Sequence, residues 1–256
     1  MNLRSELERA LPALGLALIE AQVTALMDYL GLIQKWTKVY NLTAVRDPAE
    51  MLTHHLLDSL AVISPLRRQL DAMSAPGAKR RLLDVGSGAG LPGIVIAICC
   101  PEIAVDCVDT VAKKAAFIQQ VAVTLKLGNL RGVHARVENL KDKYDVVSSR
   151  AFASLVDFTN WSSQALAEQG IWMGMKGKHP AQELAALPAS VQVFHVEPLS
   201  VPSLDAECCI GGRWDGLYSA PCPPHPLGAP PLPAQNTNCA PPVETLLACE
   251  QGDTLL

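Results

Sequence analysis

The fold of this chain is decided by one stretch, Leu82-Leu83-Asp84-Val85-Gly86-Ser87-Gly88-Ala89-Gly90-Leu91-Pro92-Gly93. Its first four residues form the short, mostly apolar run that is typical of a parallel strand covered on both faces. The glycines that follow tolerate a positive φ and let a ligand approach the backbone closely. Pro92 suits the first turn of a helix, whose free N–H groups and positive end would face that ligand. The stretch therefore predicts a strand, a glycine-rich turn and a helix that form a cofactor site.

The glycine-rich turn fits two kinds of cofactor. Residues 88–93 match the fingerprint of dinucleotide-binding loops, whereas residues 84–90 match the loop of methyltransferases that use S-adenosylmethionine. Asp84 favours the second interpretation, because a carboxylate at the strand end would repel a pyrophosphate but suit the cationic ammonium of a methionine moiety. With Asp84, the loop glycines Gly86, Gly88 and Gly90 become candidate cofactor contacts. A tight strand-to-helix turn without a ligand is the structural alternative.

The residues ahead of this turn predict helices. Apolar residues recur at helical spacing from Leu18 to Leu42, and Asp47 followed by Pro48 is a typical helix start. Residues 74–77, Ser-Ala-Pro-Gly, are typical of a linker. We therefore expect residues 1–75 to form an N-terminal helical subdomain.

After the turn, predicted strands and helices alternate. This alternation predicts an α/β fold with a Rossmann-like, doubly wound parallel sheet over residues 76–218. The predicted strands are 104–109, 130–134, 144–148, 171–176 and 191–196, and the predicted helices are 94–100, 111–126, 155–168 and 181–187.

The composition changes near the C-terminus. Nine of the nineteen prolines lie in residues 208–256. Such a segment cannot offset its ordering entropy by burying a core, so residues 219–256 are predicted to be a disordered or loosely packed proline-rich tail. A proline-rich ligand for a partner protein is the functional alternative.

Charge and composition limit the partners. The formal net charge is −4, and residues 1–207 carry 20 basic against 21 acidic side chains. A general polyanion binder is therefore excluded, DNA is not expected as a partner, and any RNA contact must be local. The chain has no run of about 18 apolar residues and no signal-peptide pattern at its start, so we expect a cytoplasmic protein without a membrane partner.

The cysteines and histidines predict no metal site. None of the eight cysteines has the Cys-x-x-Cys or paired histidine spacing of a zinc site, so we expect reduced thiols. His54, His55 and Asp58 could suggest a metal or an acid–base pair. We favour a core histidine, His55, that is hydrogen-bonded to Asp58 one turn away.

Three charged residues follow predicted strands at the edge where open α/β sheets bind ligands. Asp109 ends the second strand, where its carboxylate could accept both hydroxyls of an adenosine ribose, cap the next helix, or do both. Glu138 could border the adenine or cap a short helix. Arg150 could hold the cofactor carboxylate or an RNA phosphate through its planar fork, or form a surface ion pair.

An aromatic and basic cluster closes the first long helix. Lys35, Tyr40 and Asn41 could contact RNA by charge, stacking and hydrogen bonding, whereas Trp36 is more typical of a core residue at this spacing. Lys176, at a predicted strand end, could contact a phosphate or lie in a solvated loop. We name Lys35, Tyr40, Asn41 and Lys176 as candidate substrate contacts.

Several short motifs, taken in order, resemble one known family. They are Lys35-Trp36, Tyr40-Asn41-Leu42-Thr43, His55, Asp58-Ser59, Asp84 to Gly93, Arg136-Val137-Glu138, Ser149 to Ser154 and Met175-Lys176-Gly177. Over roughly residues 15–207 the chain is similar to the bacterial 16S ribosomal RNA guanine-N7 methyltransferases, also called the glucose-inhibited division protein B family.

The resemblance implies a fold, a cofactor and a substrate. It implies a class I methyltransferase fold, S-adenosylmethionine as donor, and guanosine 527 in the 530 loop of 16S rRNA as acceptor, in the small ribosomal subunit. By matching position it implies cofactor contacts from Gly86, Leu91, Val137, Glu138 and Arg150. We expect the protein to act as a monomer. A catalytic residue is not assigned, because guanine N7 carries a lone pair and no proton, so no general base is needed.

The chain departs from the family pattern near its end. The family usually closes with a basic residue and an apolar strand where this chain has Cys208-Cys209-Ile210-Gly211-Gly212 and then the proline-rich segment. A native extension and a frameshifted end both explain this departure. The functional alternatives are a methyltransferase of the same fold acting on a small molecule or protein, an NAD(P)-dependent oxidoreductase, and a noncatalytic RNA-binding module.

Overall fold

A computed structural model of the chain describes residues 2–73, 79–152, 154–177, 181–193 and 195–202. The predicted linker at 74–77 and the predicted tail at 219–256 lie outside these residues. In chain order the elements are α1 (Leu3–Ala10), α2 (Glu20–Tyr40), α3 (Pro48–Met51), α4 (Asp58–Leu60), α5 (Ile63–Ala72), β1 (Arg80–Val85), α6 (Gly93–Cys99), β2 (Ile103–Asp109), α7 (Ala112–Thr124), β3 (Leu130–His134), β4 (Tyr144–Arg150), α8 (Leu155–Ser162), β5 (Leu166–Met175) and α9 (Ala181–Ala185).

The five strands form one parallel sheet in the order β3-β2-β1-β4-β5. β1 lies at the centre, with β2 on one side and β4 on the other. Because the order reverses beside β1, the carboxyl ends of β1 and β4 border the crevice in which open α/β sheets bind ligands. The predicted doubly wound sheet is confirmed, and its central strand is the one that leads into the glycine-rich turn.

Each face of the sheet packs against a different set of elements. One face joins β1 and β2 to α6, α7 and the N-terminal helices in a large core that includes Tyr29, Leu82 and Ile94. The other face packs Leu83 and Val147 against Phe158 of α8 in a smaller core. Two-sided coverage explains why residues 82–85 are all buried, including the carboxylate Asp84.

The N-terminal helices are fastened to this sheet by α2. Near its start, Gln22 donates through Nε2 to the carbonyl oxygens of Ile98 (3.0 Å) and Cys99 (3.2 Å), at the end of α6. Further along, Trp36 packs against Phe117 of α7, with 5.3 Å between ring centroids. Helix α2 therefore runs along α6 and α7 from the amino edge of the sheet towards its carboxyl edge.

Asp47 begins the next helix as its sequence predicts. Its side chain accepts hydrogen bonds from the backbone N–H groups of Ala49 and Glu50, and Pro48 occupies the first turn. Beyond α3 the backbone widens into a π-helical segment, Leu52–Leu57, before α4. Periodicity did not predict this widening.

No helix of the described residues is long and apolar enough to cross a bilayer.

Two boundaries in the second half differ from the expectation. The helix predicted to run to residue 168 ends at Ser162, and β5 begins already at Leu166, because that residue pairs with Tyr144 ahead of a register shift in the sheet. The strand predicted at 191–196 is absent from 191–193 and from 195–202. There, Arg68 of α5 donates to both carboxylate oxygens of Glu197 at 2.7 Å, which holds the segment against a helix instead of a strand.

Candidate active site

The glycine-rich turn leaves the centre of the sheet with three residues in the left-handed region. Gly86, Gly88 and Gly90 have φ values of 66°, 59° and 89°, which confirms the conformational reason for glycine at these positions. The N–H of Gly86 donates to the carbonyl of Val108 at 2.9 Å, and the N–H of Gly90 to that of Ser87 at 2.7 Å. The turn is thereby tied to β2 and folded on itself.

The turn also presents open space. A Cβ atom at Gly88 would have the carbonyl oxygen of Gly86, 3.9 Å away, as its nearest neighbour, and one at Gly86 would lie 3.9 Å from the ring of Phe152. By contrast, a Cβ at Gly93 would collide with the Cys107 thiol, at 2.3 Å. The first two glycines therefore keep a space free above the turn, and the last allows α6 to pack closely on β2.

Asp84 braces the turn from beneath. Its side chain is 0% exposed, and its Oδ2 accepts from the N–H of Gly93 at 3.0 Å while Oδ1 accepts from the hydroxyl of Ser148 at 3.1 Å. Burial raises the pKa of this carboxyl to about 7, against the lowering effect of these hydrogen bonds. Asp84 thus joins β1, β4 and the start of α6 behind the cofactor space.

Asp109 serves two backbone groups at the carboxyl end of β2. Its Oδ2 accepts from the N–H of Gly88 at 3.0 Å, and its Oδ1 from the N–H of Val111 at 2.8 Å, just before α7. Asp109 is therefore not the N-cap of α7, because that position is Val111, whose own N–H Asp109 holds. Each carboxylate oxygen has a second acceptor position, so the same group can also accept a hydroxyl.

The two residues expected to border the adenine, Val137 and Glu138, lie next to β3. Val137 is buried and Glu138 is exposed in a short 3-10 turn, Val137–Asn139, that follows this strand at the carboxyl edge. Leu91 is buried at the far end of the glycine-rich turn. Val137 therefore offers an apolar wall and Glu138 a solvated carboxylate on the same side of the crevice as Asp109.

Arg150 ends β4 and reaches the N-terminal helices. Its Nη1 donates to the Asp58 carboxylate at 2.8 Å and to the backbone carbonyl of His54 at 2.9 Å. That carbonyl belongs to the π-helical segment, in which the ordinary hydrogen-bond ladder of an α-helix is shifted. Asp58 and the widened helix together hold this guanidinium at the edge of the crevice.

The expected pairing of His55 with Asp58 is wrong. Nε2 of His55 lies 2.9 Å from the hydroxyl of Thr43, while Asp58 faces Arg150. Burial, together with the nearby Arg150 charge, lowers the pKa of His55 to about 4, so the ring is neutral at pH 7. Residues three apart on a helix lie near each other, but His55 bonds to Thr43 and Asp58 to Arg150, and both partners are more distant in sequence.

The candidate RNA contacts on α2 lie beyond the glycine-rich turn. Tyr29 of this helix touches the turn, and Tyr40 follows about 16 Å further along the axis at 1.5 Å per residue. Lys35, Tyr40 and Asn41 are exposed there. Asn41 ends the helix in the left-handed conformation, and its Oδ1 accepts from Arg46 at 2.6 Å.

Lys176 lies on the other side of the crevice. Its ammonium forms an ion pair with Glu183 at 2.8 Å and donates to the carbonyl of Phe152 at 3.0 Å. Lys176 therefore fixes the segment after β4, and these contacts use two of the three N–H donors of its ammonium.

Sequence reasoning missed two residues at this site. Tyr29 lies on the apolar face predicted for residues 18–42, which gives it no role at the turn, yet its hydroxyl donates to the carbonyl of Ala89 in the glycine-rich turn at 2.7 Å. Phe152 was noted only within a motif, yet its ring borders Gly86. A phenol on an otherwise apolar stripe was the available signal for Tyr29, because a buried hydroxyl needs a partner.

Comparison with known proteins agrees with this geometry. The sequence model of the family described as rRNA small subunit methyltransferase G matches residues 22–209. Proteins named ribosomal RNA small subunit methyltransferase G are similar along most of their length. The protein from Acidovorax sp. (strain JS42) is 69% identical over 203 residues, which cover 77% of this chain and 89% of the relative. The protein from Albidiferax ferrireducens is 68% identical over 214 residues, or 80% and 96% of the two chains.

The chain is also similar to part of a solved structure. TrmN from Thermus thermophilus aligns over 63% of this chain and 53% of its own, with 17% identity and a TM-score of 0.49. The family match itself covers well over half of the chain, including the glycine-rich turn, Asp109, the turn after β3 and Arg150. The chain therefore belongs to the rRNA small subunit methyltransferase G family.

Proposed function

We propose that this protein transfers a methyl group from S-adenosylmethionine to N7 of one guanosine in 16S rRNA, position 527 in the family's rRNA numbering. The observation that carries the proposal is the open glycine-rich turn at the carboxyl edge of β1, flanked by Asp109 and the Val137–Asn139 turn. Membership of a family named for rRNA methylation supports the substrate class.

The residues at the crevice suit S-adenosylmethionine. Gly86, Gly88, Gly90 and Leu91 would line the backbone side of its methionine portion, and at Gly86 and Gly88 a side chain would intrude on that space. Asp109 would accept the ribose hydroxyls, and Val137 with Glu138 would border the adenine. Asp84 would act from behind the turn, where it holds Gly93 and Ser148, and a cationic cofactor would favour its ionised form.

Arg150 completes the cofactor side. Its Nη1 is held by Asp58 and the His54 carbonyl, so the other N–H groups of the guanidinium are preorganised to meet the cofactor carboxylate or a phosphate. The ion pair with Asp58 also balances its charge. This matters because the guanine ring becomes cationic on methylation, and an unpaired guanidinium nearby would oppose the reaction.

The reaction requires the protein to position the two reactants. When bound, S-adenosylmethionine would supply the methyl group from its sulfonium and leave as S-adenosylhomocysteine, and guanine N7 would accept the methyl through its in-plane lone pair. Since N7 carries no proton, no side chain has to act as a base. The task of the chain is to align the reacting atoms and exclude water, which can contribute several orders of magnitude in rate.

The acceptor side is formed by the end of α2. Lys35, Tyr40 and Asn41 would contact the rRNA, with Lys176 across the crevice. Because the charge of residues 1–207 is nearly balanced, recognition depends on shape and a few local contacts rather than on a broad basic surface. We therefore propose that the protein acts as a cytoplasmic monomer on the small ribosomal subunit and not on DNA.

The test is transfer of a tritiated methyl group to small subunits that lack this modification. We expect about one methyl per particle, located at guanosine 527 as alkali-labile N7-methylguanosine by strand cleavage. Light scattering gives the oligomeric state of the active protein. The matched control is Gly88→Asp, which places a carboxylate in the open space above the turn, strains the turn at a φ of 59°, and should abolish transfer.

Other outcomes would contradict the proposal. Label spread over many guanosines of unstructured RNA would exclude the proposed selectivity. Binding of NAD instead of S-adenosylhomocysteine in calorimetry would indicate an oxidoreductase. Cofactor binding without transfer to any rRNA particle would indicate a methyltransferase for another substrate class.

A further inference from the structure

Tyr29 joins the N-terminal helices to the glycine-rich turn. Its side chain is 0% exposed, and its hydroxyl donates to the carbonyl oxygen of Ala89 at 2.7 Å across 60 residues of sequence. Burial raises the pKa of this phenol well above its ordinary value, so the hydroxyl keeps its proton and remains a donor.

The Tyr29 hydrogen bond restrains the peptide unit between Ala89 and Gly90. The Ala89–Gly90 peptide has its carbonyl oxygen on Tyr29 and its N–H on the carbonyl of Ser87, at 2.7 Å. Both polar ends of this unit are therefore held, and the peptide plane cannot rotate without breaking a buried hydrogen bond. Rotation of this plane changes ψ of Ala89 and φ of Gly90, and Gly90, at a φ of 89°, restricts it little because glycine enters and leaves this region freely.

We propose that Tyr29 is a positioning residue for the cofactor: its hydroxyl sets the orientation of the Ala89–Gly90 peptide and so preorganises the glycine-rich turn for S-adenosylmethionine. This inference rests on the proposed function of that turn. A turn that already has its bound geometry loses less conformational entropy on binding, which raises affinity. The N-terminal helices thus contribute to the donor site as well as to the rRNA side.

The test compares two buried tyrosines. Tyr29→Phe removes the hydroxyl and keeps the ring. The matched control is Tyr144→Phe, because the Tyr144 hydroxyl also donates a buried 2.7 Å hydrogen bond, to Asp106, but at the first residue of β4, at the opposite edge of the sheet. Both variants should lose some thermal stability, so stability alone does not distinguish them.

Affinity for S-adenosylhomocysteine separates positioning from a merely structural role. We expect calorimetry well below Tm to give a Kd that is about 3- to 10-fold higher for Tyr29→Phe, as the loss of one hydrogen bond allows. For Tyr144→Phe the Kd should stay unchanged. With small subunits as acceptor, Tyr29→Phe should raise KM for S-adenosylmethionine and leave KM for the particle unchanged.

A second readout needs no ligand. Amide hydrogen exchange of residues 86–91 should be faster in Tyr29→Phe than in the wild type and in Tyr144→Phe. This measurement applies even if Tyr29→Phe is too unstable for calorimetry, provided that exchange is compared with that of the β1 amides in the same molecule.

Two results would overturn the inference. One is a Kd for Tyr29→Phe within about twofold of the wild type, and the other is an equal loss of affinity in both variants. In either case wild-type binding of S-adenosylhomocysteine and methyl transfer would still support the proposed function. If the wild type itself bound no S-adenosylhomocysteine, the proposed function would fail instead.

Discussion

Asp84 and Asp109 are buried carboxylates that accept hydrogen bonds from backbone N–H groups, so the effect of substituting each one can be measured. Asp84 holds Gly93, and Asp109 holds Gly88 and Val111. Their environments differ, because Asp84 is enclosed on every side, whereas Asp109 lies at the strand end with the Lys114 ammonium 3.8 Å away. Substitution of the two residues should therefore give different results.

Asp84→Asn should change how stability depends on pH. The pKa of Asp84 is about 7 in the folded protein and about 3.8 in the unfolded chain. Between these values the folded state binds one more proton, so the free energy of unfolding falls as pH rises through this window. Asparagine keeps an acceptor for Gly93 and a donor for Ser148 but does not titrate.

We expect the Tm of Asp84→Asn, measured relative to the wild type without cofactor, to increase from pH 4.5 to pH 7.5 and then to level off. The depressed pKa of His55 makes the wild type lose stability as pH falls from about 6.5 towards 4, but both proteins share this effect and it cancels in the difference. A Tm difference that is constant across this range would contradict the raised pKa of Asp84.

Asp109→Ala should weaken cofactor binding. The substitution removes the acceptor for Gly88 in the turn and the proposed acceptor for the ribose, so we expect a loss of roughly 1–3 kcal/mol in binding of S-adenosylhomocysteine by calorimetry. The matched control is Asp145→Ala, because Asp145 accepts from the Arg81 N–H at 2.8 Å and pairs with Arg80 at 3.0 Å near the amino edge of the sheet.

The control should lower Tm and leave the affinity unchanged. If Asp109→Ala bound the cofactor as tightly as Asp145→Ala does, Asp109 would serve only the backbone at the start of α7.

At the scale of elements, α2 connects the glycine-rich turn with the proposed rRNA contacts. Its middle supports the turn through Tyr29, and the exposed Lys35 and Tyr40 lie towards its end. The π-helical segment Leu52–Leu57 has a comparable role for β4, because it presents the His54 carbonyl to Arg150. Both helical elements therefore act at the crevice and not only as a cover for the sheet.

Substitutions at the end of α2 should affect the RNA and not the cofactor. For Lys35→Ala and for Tyr40→Ala we expect KM for the small subunit to rise roughly 3- to 10-fold, through loss of one charge or one stacking surface. The Kd for S-adenosylhomocysteine should not change. Lys79→Ala is the matched control, since Lys79 is an exposed lysine just before β1, at the opposite edge of the sheet.

Equal KM values for Lys35→Ala, Tyr40→Ala and Lys79→Ala would place the rRNA elsewhere on the surface.

The charge of the whole molecule limits how it selects RNA. Residues 1–207 are nearly neutral, so few counterions should be released on binding. For binding to the small subunit we expect a slope of about −2 to −4 in a plot of log K against log salt, whereas a strongly basic binder gives about −10. Filter binding between low and physiological salt measures this slope.

Bulk unstructured RNA should compete weakly in the same assay. A steep slope, or effective competition by unstructured RNA, would show that general charge attraction controls recognition and that the local contacts at the crevice do not.

The amino-acid sequence by itself determined the local elements of this protein. Asp47 with Pro48 begins a helix, residues 82–93 form a strand, a glycine turn and a helix start, and Leu130–His134 is a strand, as predicted. These features depend on φ restrictions, capping and hydrophobic periodicity over a few neighbouring residues, which a sequence displays directly. The order of the motifs also indicated the family, and the four motifs from Asp84 onwards each lie at or after the end of a strand, at the same sheet edge.

Only the tertiary structure decided which distant groups meet. Tyr29 binds Ala89 across 60 residues and Arg150 binds Asp58 across 92, while the segment near Glu197 packs on α5 instead of extending the sheet. Local patterns carry no information about these pairs. Each depends on how α2, the π-helical segment and α5 lie against the sheet, and on the requirement that buried polar groups find a partner there.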